Sequence, residues 1–358
     1  MYNFLLVSFL CVSSCSIMKN STETNRAHPL SSSFETIYGT LTVEDPLALE
    51  LIYSEPMQRL KHINQYGTFE YAVKSQRSYT RYTHSLGVYY LLKQVGCSRL
   101  EQIAGLLHDV SHTAFSHSTD VLFLGDQVSG AYQDRIHEQF LQQRGIARIL
   151  NKYGYSAHDM NILQQYFPAL KQSHPDLCAD RIDYILSAGI KEGFMSVADV
   201  RETVKNLRYK NNTWYLKDLN MAKKIGDISL HETLNRWGGS ISLAVNFLSK
   251  ELFQKSIENN LITLEDILYE KNDQEIWRIF RCSSNPHIQA LVMQISHTQW
   301  TKKVFPQQCD KKYFSKFRGV DPLVKIKGRK ISRTSHMDKE FKENFSQTEK
   351  KIKTGFCL

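Results

Sequence analysis

Several common signatures are absent from this 358-residue chain. Its seven cysteines form no CxxC pair and no zinc-ribbon spacing, which excludes the usual structural zinc sites and is compatible with a reducing compartment. The chain has no glycine-rich phosphate loop and no internal repeat, so P-loop chemistry and repeat architectures are excluded. It also has no apolar run of the length that a transmembrane helix needs.

The positive charge of the chain is concentrated at its C-terminal end. The net charge is +9, yet residues 301–358 alone contain sixteen Lys and Arg against six Asp and Glu, so the rest is near neutral. Such a segment can bind nucleic acid or an anionic membrane surface, or it can be a solvated end without a partner. We expect residues 301–358 to form a basic tail or a small subdomain.

The first 33 residues differ in character from the rest. An apolar run from Phe4 to Val12 has the length of a signal-peptide core, and residues 12–15 resemble a lipoprotein cleavage box that ends at Cys15. Residues 16–33 are mostly polar, as a tether would be, but no Lys or Arg precedes the apolar run. Two alternatives stay open: a cytoplasmic protein with an unprocessed leader, or a bacterial membrane-anchored lipoprotein that is lipidated at Cys15.

Histidines and aspartates with metal-binding chemistry cluster between residues 81 and 183. His108 and Asp109 are adjacent, and both side-chain types bind divalent transition metals. Neighbouring residues on a helix point about 100° apart, so this pair alone flanks an ion without enclosing it. His84, before an apolar helix, and Asp180 are the best further ligands; Asp183, three residues on, is a fallback ligand or a partner behind one.

The words around these residues resemble one enzyme family. "RYTHSLGV", "GLLHDVSHTAFSHSTD", "HEQF" and "CADRIDYI", preceded by "IYGTL" and "MQRLKHINQYG", are similar to the HD-domain metal-dependent phosphohydrolases, and closest to their deoxynucleoside triphosphate triphosphohydrolase branch. The resemblance implies a helical bundle with a divalent ion (Fe, Mn, Zn or Mg) bound by His84, His108, Asp109 and Asp180. It also implies release of deoxynucleoside and tripolyphosphate from a dNTP, and homo-oligomers.

The resemblance assigns roles to further side chains. Hydrolysis of a phosphate ester needs proton transfer near neutral pH, which histidine provides, and a guanidinium can bind a phosphate bidentately. A surface ion pair is the alternative for the arginines, and a polar cap is the alternative for Gln65. The implied catalytic residues are His137, Asp120, His112 and Glu138, and the implied substrate contacts are Gln65, Arg81, His117, Arg181 and Tyr184.

Two places depart from the family pattern. Ala188 stands where relatives have an aspartate for the 3′-hydroxyl, and Trp237, Gly238 and Gly239 replace aromatic and histidine residues near the nucleotide. Loss of a charge-assisted hydrogen bond costs about 1.5–3 kcal/mol. Phosphohydrolysis of another ester, such as a nucleoside monophosphate or cyclic nucleotide, therefore stays open, as does a nucleotide- or nucleic-acid-binding regulatory protein.

The remaining pattern predicts a mainly α protein with one small β-hairpin. Apolar spacing indicates helices over residues 81–95 and 99–109, and 145–176 is expected to be helical, with breaks at Pro168 and Pro175. Asn211 and Asn212 lie between aromatic flanks, which is typical of a hairpin. We expect a phosphohydrolase core at 34–200, and a hairpin with further helices of the same catalytic unit at 201–300.

Overall fold

A computed structural model describes residues 30–73, 79–124 and 131–358. The expected signal-peptide core and Cys15 lie outside these residues. The mainly α fold with a small hairpin and a C-terminal extension is confirmed. The helices are α1 Pro46–Ile52, α2 Glu55–Arg59, α3 Phe69–Ala72, α4 Arg81–Gln94, α5 Arg99–Leu107, α6 Asp120–Leu124, α7 Tyr132–Gln143, α8 Ile146–Lys152, α9 Ala179–Lys191, α10 Val197–Asn206, α11 Leu219–Glu232, α12 Ser240–Glu258, α13 Asp273–Arg281, α14 Pro286–His297, α15 Thr334–Met337 and α16 Lys339–Thr354.

The strands form two small antiparallel hairpins and one extension. The first hairpin pairs β1 Ser32–Thr36 with β2 Gly39–Val43, and the second pairs β3 Leu207–Lys210 with β4 Thr213–Leu216. Asn211 and Asn212 both have positive φ, 51° and 58°, as the tightest hairpin turns require. The short strands β5 Leu323–Val324 and β6 Ser332–Arg333 extend the second sheet, with β5 parallel to β4.

Helix α4 is the centre of the core and packs against α5 and α9. It begins at a capping box in which Thr80 and Thr83 satisfy each other's backbone amides. Its partner α5 approaches closely at Gly105, where a Cβ atom would lie 2.2 Å from a methyl of Leu92. The fully buried side chains of Leu92 and Val88 lie at this contact, which holds α4 and α5 close together.

The prediction of helix over residues 145–176 is wrong for most of that range. Helix α8 ends at Lys152, only a 3₁₀ turn follows at His158–Met160, and residues 161–178 are irregular. Contacts from distant residues stabilise this path. One carboxylate oxygen of Glu101 accepts the amide protons of Ala169 and Leu170 (2.7 and 3.1 Å), and the indole of Trp214 donates to the carbonyl of Ala169 (2.9 Å).

The C-terminal 58 residues pack onto the helical body and contain buried side chains. Phe341 of α16 is fully buried against α11, where a Cβ atom at Gly226 would lie 2.4 Å from its ring. A disulfide joins Cys309 to Cys357 and closes a sequence separation of 48 residues. Across the described ranges, no helix combines the length and apolar character needed to cross a bilayer.

Candidate metal and catalytic site

Four side chains, from helices α4 and α9 and from the turn after α5, bring their ligand atoms together. Nε2 of His84 lies 3.2 Å from Nε2 of His108 and 3.2 Å from Oδ1 of Asp180. The Asp109 carboxylate lies 3.6 Å from His84 Nε2 and 3.5 Å from His108 Nε2. Ligands about 2.1 Å from one ion and at right angles are about 3 Å apart, so these distances suit a single divalent metal.

The outer nitrogen of each histidine is already bonded, which turns the inner nitrogen toward the ion. Nδ1 of His84 donates to Oδ2 of Asp183 (2.7 Å), and Nδ1 of His108 donates to the carbonyl of Gly105 (2.7 Å). When these imidazoles are neutral, as metal binding requires, each Nε2 presents a lone pair. Two lone pairs that face each other repel unless a cation lies between them, so the donor set fits a bound metal.

Asp183 lies behind His84 and supports it, which distinguishes the two roles that the sequence left open. Its carboxylate is buried and accepts hydrogen bonds from the hydroxyls of Tyr38 (2.8 Å) and Tyr79 as well as from His84. Gly87 makes room for it, because a Cβ atom there would lie 1.9 Å from Oδ1. The contact of Tyr79 with Asp183 was not predicted from the sequence. Tyr38 was included there only as part of the word "IYGTL", and no role was assigned to it.

The electrostatics of the site favour positive charge. Burial opposes protonation of His84, yet its hydrogen bonds to Asp180 and Asp183 and the nearby carboxylate charges raise its pKa to about 10. Burial also opposes ionisation of Asp109, but the charge of Arg81 and the neighbouring histidines hold its pKa well below the usual range. Burial opposes ionisation of Asp180 too, but the histidines hold its pKa well below the usual range as well. Two ionised carboxylates therefore face two imidazoles, which is an environment for a cation.

Arg81 contacts a metal ligand directly. Its guanidinium donates to Oδ2 of Asp109 (2.7 Å) and to the hydroxyl of Ser116 (3.0 Å), and it is 4% exposed. These bonds fix the Asp109 carboxylate in the orientation that faces the histidines. The resemblance predicted that Arg81 binds phosphate. In this structure Arg81 is bonded to Asp109, which is itself a candidate ligand of the metal that the phosphate would approach.

Two buried histidines next to the ligands lack hydrogen-bond partners at key atoms. Nε2 of His112 lies 3.4 Å from Oδ1 of Asp109, while Nδ1 of His137 bonds to the hydroxyl of Ser111 (2.9 Å). Within the described residues, both ring nitrogens of His112 and Nε2 of His137 have no hydrogen-bond partner. Buried polar atoms without partners are costly, so these atoms are suited to bonding a water or a substrate oxygen.

The two histidines are neutral in the folded protein. Burial and the charge of Arg81 lower the pKa of His112 to about 3, and burial and the charge of His108 lower the pKa of His137 to about 3. A neutral imidazole can accept a proton at one nitrogen and donate a hydrogen bond from the other. The pair can therefore orient a nucleophile or bond phosphoryl oxygens.

A histidine–aspartate pair next to His112 is more accessible to solvent. Nδ1 of His117 donates to Oδ2 of Asp120 (2.9 Å), and the His117 side chain is 40% exposed. The His117 ring meets the His112 ring edge-to-face, with centroids 5.0 Å apart. An imidazole with a carboxylate partner on one nitrogen and solvent access on the other is suited to deliver a proton to a leaving group.

Glu138 is bonded elsewhere. Its carboxylate accepts hydrogen bonds from the side chains of Asn161 (2.9 Å) and His158 (3.3 Å). Glu138 follows His137 on α7, and adjacent helix positions point about 100° apart. When His137 faces the metal ligands, Glu138 therefore faces the 158–161 turn. Within the described residues it stabilises that turn and does not contact the other expected catalytic groups.

Helix α9 presents the expected substrate contacts next to Asp180. Tyr184, one turn after Asp180, meets the ring of Trp237 edge-to-face at 5.0 Å, so the aromatic residue of the departing tripeptide borders the site. Arg181 donates to the carbonyls of Asp176 (2.6 Å) and Ser173 (3.3 Å) in the preceding loop. These groups form an aromatic and basic rim beside the metal ligands.

Two further positions bear on substrate recognition. Oε1 of Gln65 is buried and has no hydrogen-bond partner among the described residues, and its backbone carbonyl accepts from Arg81 (3.4 Å). Ala188 is fully buried in the hydrophobic core. Helix α9 therefore offers no carboxylate at that position, while Gln65 keeps a free acceptor.

Comparisons with known proteins agree with this geometry. The HD domain family model matches residues 81–188. The chain is 34% identical over 262 residues to the uncharacterized protein YdhJ of Bacillus subtilis (73% of this chain, 78% of that protein) and 27% identical over 304 residues to a metal-dependent phosphohydrolase of Cordyceps militaris (83% and 85%). A deoxynucleoside triphosphate triphosphohydrolase of Danio rerio is 36% identical over 105 residues, 25% of this chain and 17% of that protein.

The fold agrees as well. A crystal structure of a hypothetical protein from Aquifex aeolicus superposes with a TM-score of 0.61 at 19% identity and covers 87% of this chain and 93% of that one. Its similarity concerns the fold, whereas the HD domain family model matches residues 81–188, which contain the four candidate metal ligands. The chain belongs to the HD-domain superfamily of metal-dependent phosphohydrolases.

Proposed function

We propose that this chain hydrolyses nucleotides at the phosphate attached to the sugar, as a dNTP triphosphohydrolase does when it releases deoxynucleoside and tripolyphosphate. The observation that carries the proposal is the edge-to-face pair of Tyr184 and Trp237, which lies on the side of α9 that carries Asp180. An aromatic surface one helical turn from a metal ligand suits a nucleoside whose phosphate reaches the ion. The similarity to triphosphohydrolases over a quarter of the chain supports the same activity.

The residues divide the work by position. A divalent ion held by His84, His108, Asp109 and Asp180 would polarise a phosphoryl oxygen and lower the pKa of a bound water. Arg81 fixes Asp109, and the unpartnered nitrogens of His112 and His137 bond the oxygens that surround the scissile phosphorus. The exposed His117, oriented by Asp120, delivers a proton to the departing sugar oxygen.

A specific observation favours a second candidate, the hydrolysis of another phosphate ester. Ala188 is buried among apolar side chains, so the acceptor that dNTP-specific relatives use for the 3′-hydroxyl is absent. A site without that acceptor discriminates poorly by the 3′ position, since a missing charge-assisted hydrogen bond costs about 1.5–3 kcal/mol. Monophosphates and cyclic nucleotides belong in the same test for this reason.

The test is product analysis on a nucleotide panel. Metal-loaded protein, supplied with manganese or iron, is incubated with dNTPs, NTPs, nucleoside monophosphates and cyclic nucleotides, and nucleoside and phosphate products are quantified. A His108→Ala, Asp109→Ala protein controls for contaminating phosphatases. Tripolyphosphate released from a dNTP by wild type alone is the expected result. Release from another ester alone would transfer the proposal to that ester, and no release from any nucleotide by protein shown to contain its metal would refute it.

A further inference from the structure

A short extended segment of the C-terminal region crosses the rim of the site. Its start is fixed by the backbone bridge between Tyr313 and Phe356, and the hydroxyl of Ser315 donates to the carbonyl of Gly238 (2.7 Å). Its far end is fixed by the amide of Asp321, which donates to the carbonyl of Pro175 (3.0 Å). The segment therefore runs from the residue after Trp237 to the loop that precedes α9.

The glycine at position 238 permits this path. A Cβ atom there would lie 2.5 Å from Oγ and 3.0 Å from Cβ of Ser315, so a side chain at this position would force Ser315 to shift. The tripeptide that departs from the family pattern is the place where the C-terminal segment reaches the site.

The segment directs two cations toward the rim. In an extended chain alternate side chains point to opposite sides. Phe317 points to the helical body, where its ring meets Phe345 at 5.1 Å, so Lys316 and Arg318 point to the other side. Burial and the charges of Arg318, Arg181 and Lys171 lower the pKa of Lys316, as expected when like charges lie close together.

These cations lack acidic partners. Among residues 30–73, 79–124 and 131–358, neither Lys316 nor Arg318 forms an ion pair or donates a side-chain hydrogen bond. Lys171, whose charge also acts on Lys316, forms an ion pair with Asp134 at 2.9 Å. Nearby, Nδ1 of His174 is buried without a partner in the described structure. The charge of Asp134 acts on Lys316 and that of Asp180 acts on Arg181, yet the four cations Lys171, Arg181, Lys316 and Arg318 outnumber these two carboxylates. Such an excess of positive charge attracts an anion.

We propose that Lys316 and Arg318, together with Lys171 and Arg181, bind the phosphate groups beyond the scissile one, so that the preferred substrate carries at least two phosphates in a chain. This inference rests on the proposed function, because it places those phosphates relative to a nucleotide at the metal ligands. Of these four cations, the resemblance assigns phosphate contact to Arg181 alone. The C-terminal segment adds cationic hydrogen-bond donors for the further phosphates, so that affinity depends on how many phosphates the substrate carries.

The experiment measures anion binding and does not depend on turnover. Metal-loaded protein is titrated calorimetrically with orthophosphate, pyrophosphate and tripolyphosphate, each supplied as a magnesium salt so that it does not strip the metal. Wild type is compared with the Lys316→Gln, Arg318→Gln double variant. The matched control is Arg329→Gln, Lys330→Gln, which removes one Arg and one Lys from exposed positions of the same basic region.

The first double variant is expected to bind tripolyphosphate at least tenfold more weakly, and the control less than twofold, because each lost charge-assisted contact weakens binding by about tenfold or more. Orthophosphate affinity is expected to be unchanged. Unchanged tripolyphosphate affinity in the first variant, or equal loss in both variants, would overturn the inference. If wild type hydrolyses nucleotides and the first variant binds tripolyphosphate as tightly as wild type, this inference alone is refuted. If the first variant loses tripolyphosphate affinity but wild type hydrolyses no nucleotide, the proposed function alone is refuted.

Discussion

Replacing Asp183 by asparagine tests the support of the metal ligand His84. Asparagine keeps the shape of the side chain and removes its charge, while the hydroxyls of Tyr38 and Tyr79 and Nδ1 of His84 lose a carboxylate acceptor. Loss of such a partner behind a metal-bound histidine costs about ten- to a hundredfold in metal affinity, which corresponds to about 1.4–2.8 kcal/mol. We expect Asp183→Asn to weaken metal binding within that range and to lower activity at limiting metal.

The assay is competition with a chromophoric chelator for manganese or zinc, followed by metal analysis of the recovered protein. Asp321→Asn is the matched control, because Asp321 is also a buried carboxylate but bonds to Ser335. Gly87→Ala reaches the same group by sterics, since its Cβ atom would lie 1.9 Å from Asp183. Equal metal affinity in wild type and Asp183→Asn would show that this carboxylate does not support the ligand.

Two further predictions concern stability. The pKa values of His112 and His137 are lowered to about 3, so the unfolded chain binds the extra protons; stability is complete above about pH 6.5 and is lost as the pH falls toward 3. Between pH 7 and pH 5 each histidine lowers the free energy of unfolding by about 2 kcal/mol. Urea unfolding of His137→Gln at the two pH values is expected to show a decrease that is smaller by that amount. An identical decrease in wild type and variant would contradict these lowered pKa values. The Cys309–Cys357 disulfide closes 48 residues, for which chain entropy gives about 4 kcal/mol. Cys309→Ser is therefore expected to lower the melting temperature, and a melting curve insensitive both to this variant and to reductant would refute the contribution.

Much of the metal site could be predicted from the sequence because its residues lie in short contiguous words. His108 and Asp109 are adjacent, and Asp180 begins a helix whose apolar spacing is plain. The role of Asp183 could not be predicted, because it shares a helix face with Asp180 at a spacing of three. Only the ring orientation of His84, a tertiary feature, separates ligand from support.

Other features depend on contacts between residues far apart in the chain. The irregular path after α8 is stabilised by Glu101 and Trp214, which no local pattern near residue 169 reveals. The charge of the basic C-terminal region is compatible with a solvated tail. In the structure, however, its residue Phe341 is buried and its strand β5 pairs with β4. The contact of this region with the rim of the site depends on Gly238, which leaves room for Ser315 and accepts its hydrogen bond.

Location and larger partners stay predictions. For location we keep both proposals: a cytoplasmic protein if the leader is not processed, or a bacterial membrane-anchored lipoprotein that is lipidated at Cys15. The pairing of Cys309 with Cys357 supports export, because disulfides persist in oxidising compartments. Homo-oligomerisation, and contact of the basic region with nucleic acid or an anionic membrane surface, are likewise proposals that follow from the resemblance and from the charge of residues 301–358.

The most direct test of the account is a metal titration of hydrolysis. Chelator-treated protein is reloaded in steps with manganese or iron, and bound metal and phosphate release from the best nucleotide of the panel are measured on the same samples. We predict that activity rises in proportion to bound metal and saturates at about one ion per chain, and that Asp180→Asn shifts the curve to higher metal. Full activity in metal-free protein, or saturation with metal and no hydrolysis of any phosphate ester, would contradict the central claim.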